Sequence, residues 1–576
     1  MSETPSRPSW RPNLIGKRYA VSCGHYLGTA AAVRALERGG NAVDAGVSAA
    51  MAMAVAQPEI VSFSGVAPTL VYEAGQPIVH SLAGLGYWPA SVDVDRLRVE
   101  GGGVVPDGVL RTVVPAAPAT HIEALLRFGT VSFEEAVVSA LDIARDGFAT
   151  YPVFVRHIEK FQDRYRSWPS SAALFLPNGR PPRVGEIFVQ ERLARAIEGM
   201  IHAERNAPGN RAAKLVAARD YYYKGEIAEG IAAFYREQGG FLTLEDLASF
   251  RVPLEKSISC NYKGYAVHSC DTWCQGITLL QTLKTLEGID LRGMGVNTLS
   301  YLHTVVEALN LSFADREGYV GDPRFVDVPV TGMLSDEYAA AQRQRIDQRK
   351  AFGMLPPAGR PPGATREPFI PRLDSFPQAP PGAAPDTTYC CVVDAAGNAY
   401  SATLSDNARD TPVVPSLGGT VSSRGSQSRL EPGHPCEVKP GKRPRMTPAP
   451  ALVLRGGEFY MALGTPGGDV QTQAMLQAFL NIVEFGMTPQ QAVEQPRVGT
   501  FIFPSSFSPH AIGSLNVEQR FPAEISEGLH ALGHKVSAWS SLAPAAGAVC
   551  AIVRDPMTGW LHAAADARRE AYAMVW

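Results

Sequence analysis

The sequence predicts an α+β chain in which antiparallel sheets are covered by helices, and three observations carry that reading. Paired apolar runs are joined by short turn segments, as at 451–454 and 459–463 across Arg455-Gly-Gly457. Helical periodicity fills long stretches between such pairs, and the two do not alternate as regular βαβ units. A segment from Ala42 onward is apolar or small on every side, a pattern that suits only a buried helix.

Taken in order, a helix is expected over 28–38, a break at Gly39-Gly40-Asn41, and then the buried helix from Ala42. Residues 66–73 and 76–82 alternate around Ala74-Gly75 as a hairpin. Gly101-Gly-Gly103 marks a loop, and helices follow at 118–128 and 132–145, the second opened by Ser132 and Glu135 at capping-box spacing. From 191 to 236 the pattern is helical with a charged face, and Thr243-Leu-Glu-Asp246 opens a short helix. A strand at 264–269 and a turn at Gln275-Gly276 lead into a helix carrying Ile277, Leu279, Leu280, Leu283 and Leu286. Helices at 300–313 and 336–349 close the larger half.

Ten prolines then fall within 351–386, a composition that cannot build a packed element and reads as an extended surface linker. Residues 389–393 form a β-branched and aromatic strand, Asp394 to Asn398 supply turn residues, and 399–404 return as its partner. The main helix of this half is expected at 470–485, and a last hairpin at 548–554 and 561–565. No internal repeat is visible.

At 576 residues, with 45% hydrophobic content, the chain can form a large core. Only 19% of residues are charged and the net charge is -3, which excludes a basic nucleic-acid face and favours small neutral or anionic partners. Residues 1–12 are polar and proline-rich without an apolar signal core, so they read as a flexible arm. No apolar run reaches the length of about 18 residues that a membrane span needs, and a soluble, cytoplasmic protein is expected. Among the eight cysteines, Cys270 and Cys274 lack a second ligand pair, while adjacent Cys390 and Cys391 point to opposite faces of a strand as core filler. No metal or organic cofactor is expected.

A Thr387-Thr388 pair stands where the linker meets the core strand. Threonines there serve β-propensity well. They also suit a chemistry: if the chain is cut before Thr387, the new α-amine, with an unperturbed pKa of about 7.7–8.0, becomes a base beside Oγ. Gly467 and Gly468, before a helix, fit either a tight turn or a pair of N–H donors for an oxyanion.

The segment Thr387-Thr-Tyr-Cys-Cys-Val-Val-Asp-Ala-Ala-Gly-Asn398 resembles the start of the small subunit of the γ-glutamyltransferase family, N-terminal-nucleophile (Ntn) hydrolases whose precursors cleave themselves before a Thr-Thr pair. Arg38-Gly-Gly-Asn-Ala-Val-Asp44, Ala144-Arg-Asp-Gly-Phe148, Leu242-Thr-Leu-Glu-Asp-Leu247, Phe313-Ala-Asp-Arg316 and Gly321-Asp-Pro323 resemble family segments in the same order. Gly441-Lys-Arg-Pro444, Gly464-Thr-Pro-Gly-Gly468 and the helix-like 477–486 extend the likeness downstream, over roughly residues 20–570. The resemblance implies a four-layer αββα sandwich. It also implies a cut between Asp386 and Thr387 into a large subunit, 1–386, with its linker at 351–386, and a small subunit, 387–576. These remain one interleaved domain, a processed αβ heterodimer, alone or as a dimer of these.

By the same resemblance, Thr387 is the nucleophile, Gly467 and Gly468 are the oxyanion glycines, and Ser405 supplies a hydroxyl to the nucleophile. Asn407 contacts substrate, and Met446 and Thr447 fall where the family carries two serines that bind its carboxylate. Two departures stand out. Ser81-Leu-Ala-Gly-Leu-Gly-Tyr-Trp-Pro89 offers no cation where the family holds a glutamyl α-carboxylate, and 421–429 lacks the aspartate expected for the α-amine. Arg424, Arg429, Arg443 and Arg445 are available to an anionic substrate, for which the guanidinium fork is suited. The expected activity is hydrolysis of a small amide through a threonyl ester, with oxamate-like or other short acyl amides preferred to γ-glutamyl donors. The alternatives are an ordinary γ-glutamyl transferase or glutathione hydrolase with rearranged arginines, and an unprocessed, non-enzymatic binding protein.

Overall fold

The computed structural model describes residues 9–379 and 386–576. Two seven-stranded antiparallel sheets face each other. The first runs in the order Tyr572–Val575, Ala20–Cys23, Thr388–Val393, Ala399–Leu404, Thr69–Tyr72, Val79–Leu82, Leu254–Lys256. The second runs Leu14–Gly16, Leu561–Ala565, Cys550–Arg554, Glu458–Gly464, Ala451–Arg455, Tyr265–Ser269, Ile258–Tyr262. Each sheet takes strands from both sides of the bond between Asp386 and Thr387, so the two segments are interleaved.

Three apolar layers hold the stack together. Val393, Tyr389, Leu452, Ile552 and Ala563 fill the space between the sheets. The outer face of the first sheet packs on helices that include Ala42–Ala56, Phe133–Asp146 and Glu191–Asn206. The outer face of the second packs on Gly276–Glu287, Leu299–Tyr319 and Gln471–Val483. Helices thus cover both outer faces, giving the αββα order. The period-two rule is visible in one pair: Cys390 faces the helices and Cys391 faces the other sheet. All eight cysteines are free and buried.

Every residue of Ala42–Ala56 is buried. Its small side chains permit close approach, and at Gly46 nothing larger fits, because a Cβ would lie 2.2 Å from the Tyr400 ring. The Ser132 and Glu135 capping box forms as expected. Elsewhere the structure differs from the pattern. The helix expected at 300–313 runs on to Tyr319, because Asp315, Arg316 and Glu317 are buried with polar partners instead of meeting solvent. The helix from Asp336 stops at Gln344.

Residues 351–379 form no helix beyond a short turn at Leu373–Ser375, yet they dock on the body instead of merely covering it. Ala351 and Leu355 are buried, and the Gly359 N–H donates to Asp315 Oδ1 at 2.7 Å. The rest of the expected linker, 380–385, lies outside the described residues. The expected flexible arm needs correction where it is described, since the Arg11 N–H donates to Glu494 at 3.0 Å and the strand Leu14–Gly16 follows. A small third sheet of Val498–Thr500, Leu515–Glu518 and Val536–Trp539 was not anticipated, and one of its pairs is parallel. Among the described residues, no helix is long and apolar enough to cross a membrane.

Candidate active site

Thr388–Val393 is an inner strand of the first sheet, and its pairing with Ala399–Leu404 puts Thr388 opposite Leu404. The next residue outward on each strand is therefore Thr387 on one side and Ser405 on the other. Their hydroxyl oxygens are 2.6 Å apart. The Thr387 hydroxyl also reaches Asp386 Oδ1 at 2.9 Å, and its N–H donates to the Ile60 carbonyl at 3.3 Å. Thr387 has φ +75°, a left-handed backbone that a β-branched residue adopts only under constraint.

Asp386 is tightly held. Its carboxylate accepts from Ser405 Oγ at 2.8 Å and from both arms of Arg424, Nη1 at 3.0 Å and Nη2 at 2.8 Å. Burial raises the carboxyl pKa, but the Arg424 charge outweighs it and brings the group down to about 2. The backbone carbonyl of Asp386, which belongs to the peptide bond with Thr387, accepts from Arg569 Nη1 at 3.2 Å. Arg569 is itself anchored on the Pro544 carbonyl through Nε at 3.1 Å and Nη2 at 2.9 Å.

The two glycines lie in the loop entering the helix Gln471–Val483, with φ +127° at Gly467 and +61° at Gly468. That loop is pinned from below. Gln275 Nε2 donates to the carbonyls of Gly468 and Thr447, both at 3.0 Å, and Arg316 Nη1 joins Gln275 Oε1 at 2.8 Å to Asp469 Oδ1 at 2.6 Å. Phe507 links this loop to the Arg424 side of the site: a Cβ on Gly468 would lie 3.2 Å from its ring edge, while the Arg424 guanidinium sits 5.3 Å from the ring centroid.

The other expected residues separate. Thr447 pairs with Gln427, accepting on Oγ1 at 2.9 Å. Met446 turns its side chain into the inter-sheet core beside Trp273 and Cys274, and only its backbone holds the site, by accepting the Gln275 N–H at 2.9 Å. Asn407 Nδ2 donates to Asp410 at 2.9 Å, and its Oδ1 is buried without a partner among the described residues. Arg429 and Arg445, expected as substrate receptors, are committed instead to Glu317, at 3.1 Å and 2.6 Å. Burial opposes the charge on Glu317, but its arginines hold it well below the usual carboxylate range. Arg443 is likewise spent on Asp322 and Glu255. Of these arginines, Arg424 is the one in contact with Ser405 and Asp386.

Sequence reasoning missed Asp406, Phe507, Gln275 and Arg569. Asp406 lies between Ser405 and Asn407, and counting along that segment reaches it; nothing in the local pattern marks the other three. Asp406 Oδ1 accepts from the Ser423 N–H at 2.9 Å and lies 3.5 Å from Arg424 Nε, while Oδ2 has no partner among the described residues. Burial pushes its carboxyl up to about 6, against the pull of Arg424. At the missing clamp, Leu85 is packed between the sheets and Gly86 admits no side chain, since a Cβ would meet the Val114 carbonyl at 1.7 Å. In the uncut chain Thr387, Ser405 and Arg424 are all buried, and a cavity of about 560 Å³ lined by Trp168, Leu174, Phe234 and Val413 includes none of them.

The gamma-glutamyltranspeptidase profile matches residues 28–576. The chain belongs to the gamma-glutamyltranspeptidase family. A glutathione hydrolase-like YwrD proenzyme of Bacillus subtilis is 29% identical over 566 residues, covering 98% of this chain and 99% of that protein. The structure of LmbA2991HD is similar with a TM-score of 0.92 at 34% identity, covering 99% of this chain and 100% of that one. A cephalosporin acylase from Bacillus halodurans matches with a TM-score of 0.85 at 27% identity, covering 100% and 99%. As a member of the gamma-glutamyltranspeptidase family with proenzyme and acylase relatives, this protein is a self-processing amide hydrolase of the Ntn type.

Proposed function

We propose that Thr387 is the nucleophile, first of its own release and then of turnover, and that the acyl group is not a strict γ-glutamyl donor. The observation that carries this is the convergence of Ser405 and the Asp386 carboxylate on Thr387 Oγ1, with Arg569 on the carbonyl of the bond to be cut. In self-cleavage, Oγ1 attacks the Asp386 carbonyl carbon, the C–N bond breaks, and the hydroxyl proton ends on the released amine. Water then hydrolyses the ester, freeing the Asp386 carboxylate and the Thr387 hydroxyl. In turnover the free α-amine takes the hydroxyl proton, Oγ1 attacks the substrate amide, the Gly467 and Gly468 N–H groups receive the oxyanion, and the amine leaves with the proton. Water completes the cycle.

Arg569 supplies to the first reaction what the glycines supply to the second. Replacing it by methionine removes a cationic donor from the developing oxyanion, and loss of one such donor costs about 10²–10³ in rate elsewhere. Arg569→Met precursor should therefore mature at least about 10²-fold more slowly in a gel time course, with Arg569→Lys intermediate. Maturation at the wild-type rate would remove Arg569 from the cleavage step.

The specificity reading is supported by the packed Leu85 and Gly86 where a clamp cation is expected, and by Ser426 in place of an acid. A buried ammonium without a partner is costly. The test compares kcat/KM for a γ-glutamyl anilide with glutaryl and short-chain acyl anilides, and the amides without the ammonium should be turned over better. A γ-glutamyl preference of tenfold or more, about 1.4 kcal/mol of transition-state binding, overturns it. One observation favours that second reading: Asp406 Oδ2 is unpartnered beside Arg424, so the pair together matches both charges of an amino-acid end. With the Asp406 carboxyl pushed up to about 6, γ-glutamyl binding would then weaken as pH falls below that value.

A further inference from the structure

We infer that the acyl group removed by this enzyme ends in a carboxylate, which Arg424 receives in the place held by the Asp386 side chain before cleavage, so that the substrates are half-amides of short dicarboxylic acids. This rests on Thr387 as nucleophile and narrows what it attacks. In the precursor, Asp386 supplies the acyl half of the first amide to be cut, and its side chain carries a carboxylate two carbons beyond the scissile carbonyl. That carboxylate sits in a two-armed guanidinium fork, Nη1 at 3.0 Å and Nη2 at 2.8 Å, with both partners buried. It is an internal substrate.

When the cut chain end withdraws, Arg424 keeps the face of Phe507, 5.3 Å away, and Asp406 at 3.5 Å from Nε, but loses its two-armed partner. A guanidinium enclosed in this way calls for another anion. Even in the uncut chain Arg424 Nε is buried without a hydrogen-bond partner among the described residues, so the guanidinium has a donor to spare. Arg429 and Arg445 differ in that their carboxylate partner, Glu317, is not at the chain end and stays in place after the cut.

The geometry also limits chain length. Asp386 Oδ1 lies 2.9 Å from Thr387 Oγ1, and Ser405 Oγ touches both Thr387 Oγ1 and Arg424, so the anion site abuts the nucleophile. An acyl chain of two to four carbons, oxalyl to succinyl, joins the two directly. A glutaryl or γ-glutamyl chain must fold back to put its carboxylate there.

The test uses wild-type two-chain protein and the 4-nitroanilides of oxalic, succinic, glutaric and butyric acids. The oxalyl or succinyl compound should exceed the neutral butyryl compound by at least about 10²-fold in kcat/KM, the loss expected when a site built for a polar partner meets an analogue lacking it. Free succinate should inhibit competitively, and butyramide should not. Equal turnover of butyryl and succinyl compounds, or no inhibition by succinate, overturns the inference while leaving the amidase reading intact. No turnover of any amide by correctly cut protein overturns both. Arg424→Lys keeps the charge but not the fork; if it matures, its preference for the anionic over the neutral compound should fall by at least tenfold. An unchanged preference also counts against the inference. Should that variant stay uncut, inhibition of wild-type enzyme by succinate still decides.

Discussion

Purified wild-type protein should run as two chains, and Thr387→Ala should remain a single chain of 61.8 kDa with no measurable amide turnover. Cutting 576 residues after Asp386 divides the mass into roughly 41 and 20 kDa, and the smaller chain should begin Thr-Thr-Tyr-Cys-Cys. The expected loss is large because, in the proposed mechanism, one hydroxyl serves both reactions. Removing a hydroxyl nucleophile alone costs on the order of 10⁶ in turnover in a well-studied serine enzyme, and here the alanine chain also keeps Asp386 lodged on Arg424. Thr387→Ser keeps the hydroxyl and should still be cut. The left-handed backbone at Thr387, φ +75°, adds of order 1–3 kcal/mol of strain that cleavage can release. Intact-mass analysis and N-terminal sequencing check all of this. A small chain beginning anywhere other than Thr387 would sink the assignment.

The strand at 388–393 was legible because a β-branched run follows a proline-rich stretch, and that contrast is local. Ser405 was reached through the family resemblance alone, and the hairpin register that sets it beside Thr387 is a finding of the structure. The glycine pair before Gln471–Val483 was legible for the same reason: both signals lie within a few residues of one another. The arginines were not separable. Arg424, Arg429 and Arg445 come from neighbouring segments of similar composition, and what divides them is Glu317, more than a hundred residues upstream on Leu299–Tyr319. Likewise Ala20–Cys23 flanks the strand Thr388–Val393, yet all four of its residues are buried, so it lacks the polar alternation that would have announced it. Arg569 reaches the Asp386 carbonyl only because the loop before Tyr572–Val575 passes beside the first sheet. Family resemblance supplied the roles of Ser405 and the glycines, but it had no counterpart for an Arg424 that faces the cleavage site.

Gly468→Val should fold and cut itself at a normal rate, yet lose at least about 10²-fold in amide turnover, as loss of an oxyanion donor does elsewhere. Two physical effects act together. Gly468 has φ +61°, where valine is strained, and the new Cβ would lie 3.2 Å from Phe507, in space that an approaching carbonyl also needs. The loop would have to shift against the Gln275, Arg316 and Asp469 bonds that hold it. Self-cleavage should be spared because the Asp386 carbonyl, at the proposed cut, is held by Arg569 and not by the glycine loop. Gly468→Val and Arg569→Met should thus be complementary: one matures but turns over poorly, the other matures slowly. Normal turnover by Gly468→Val would remove the glycines from the mechanism, and a Gly468→Val chain that stayed uncut but folded would place them in the cleavage step as well.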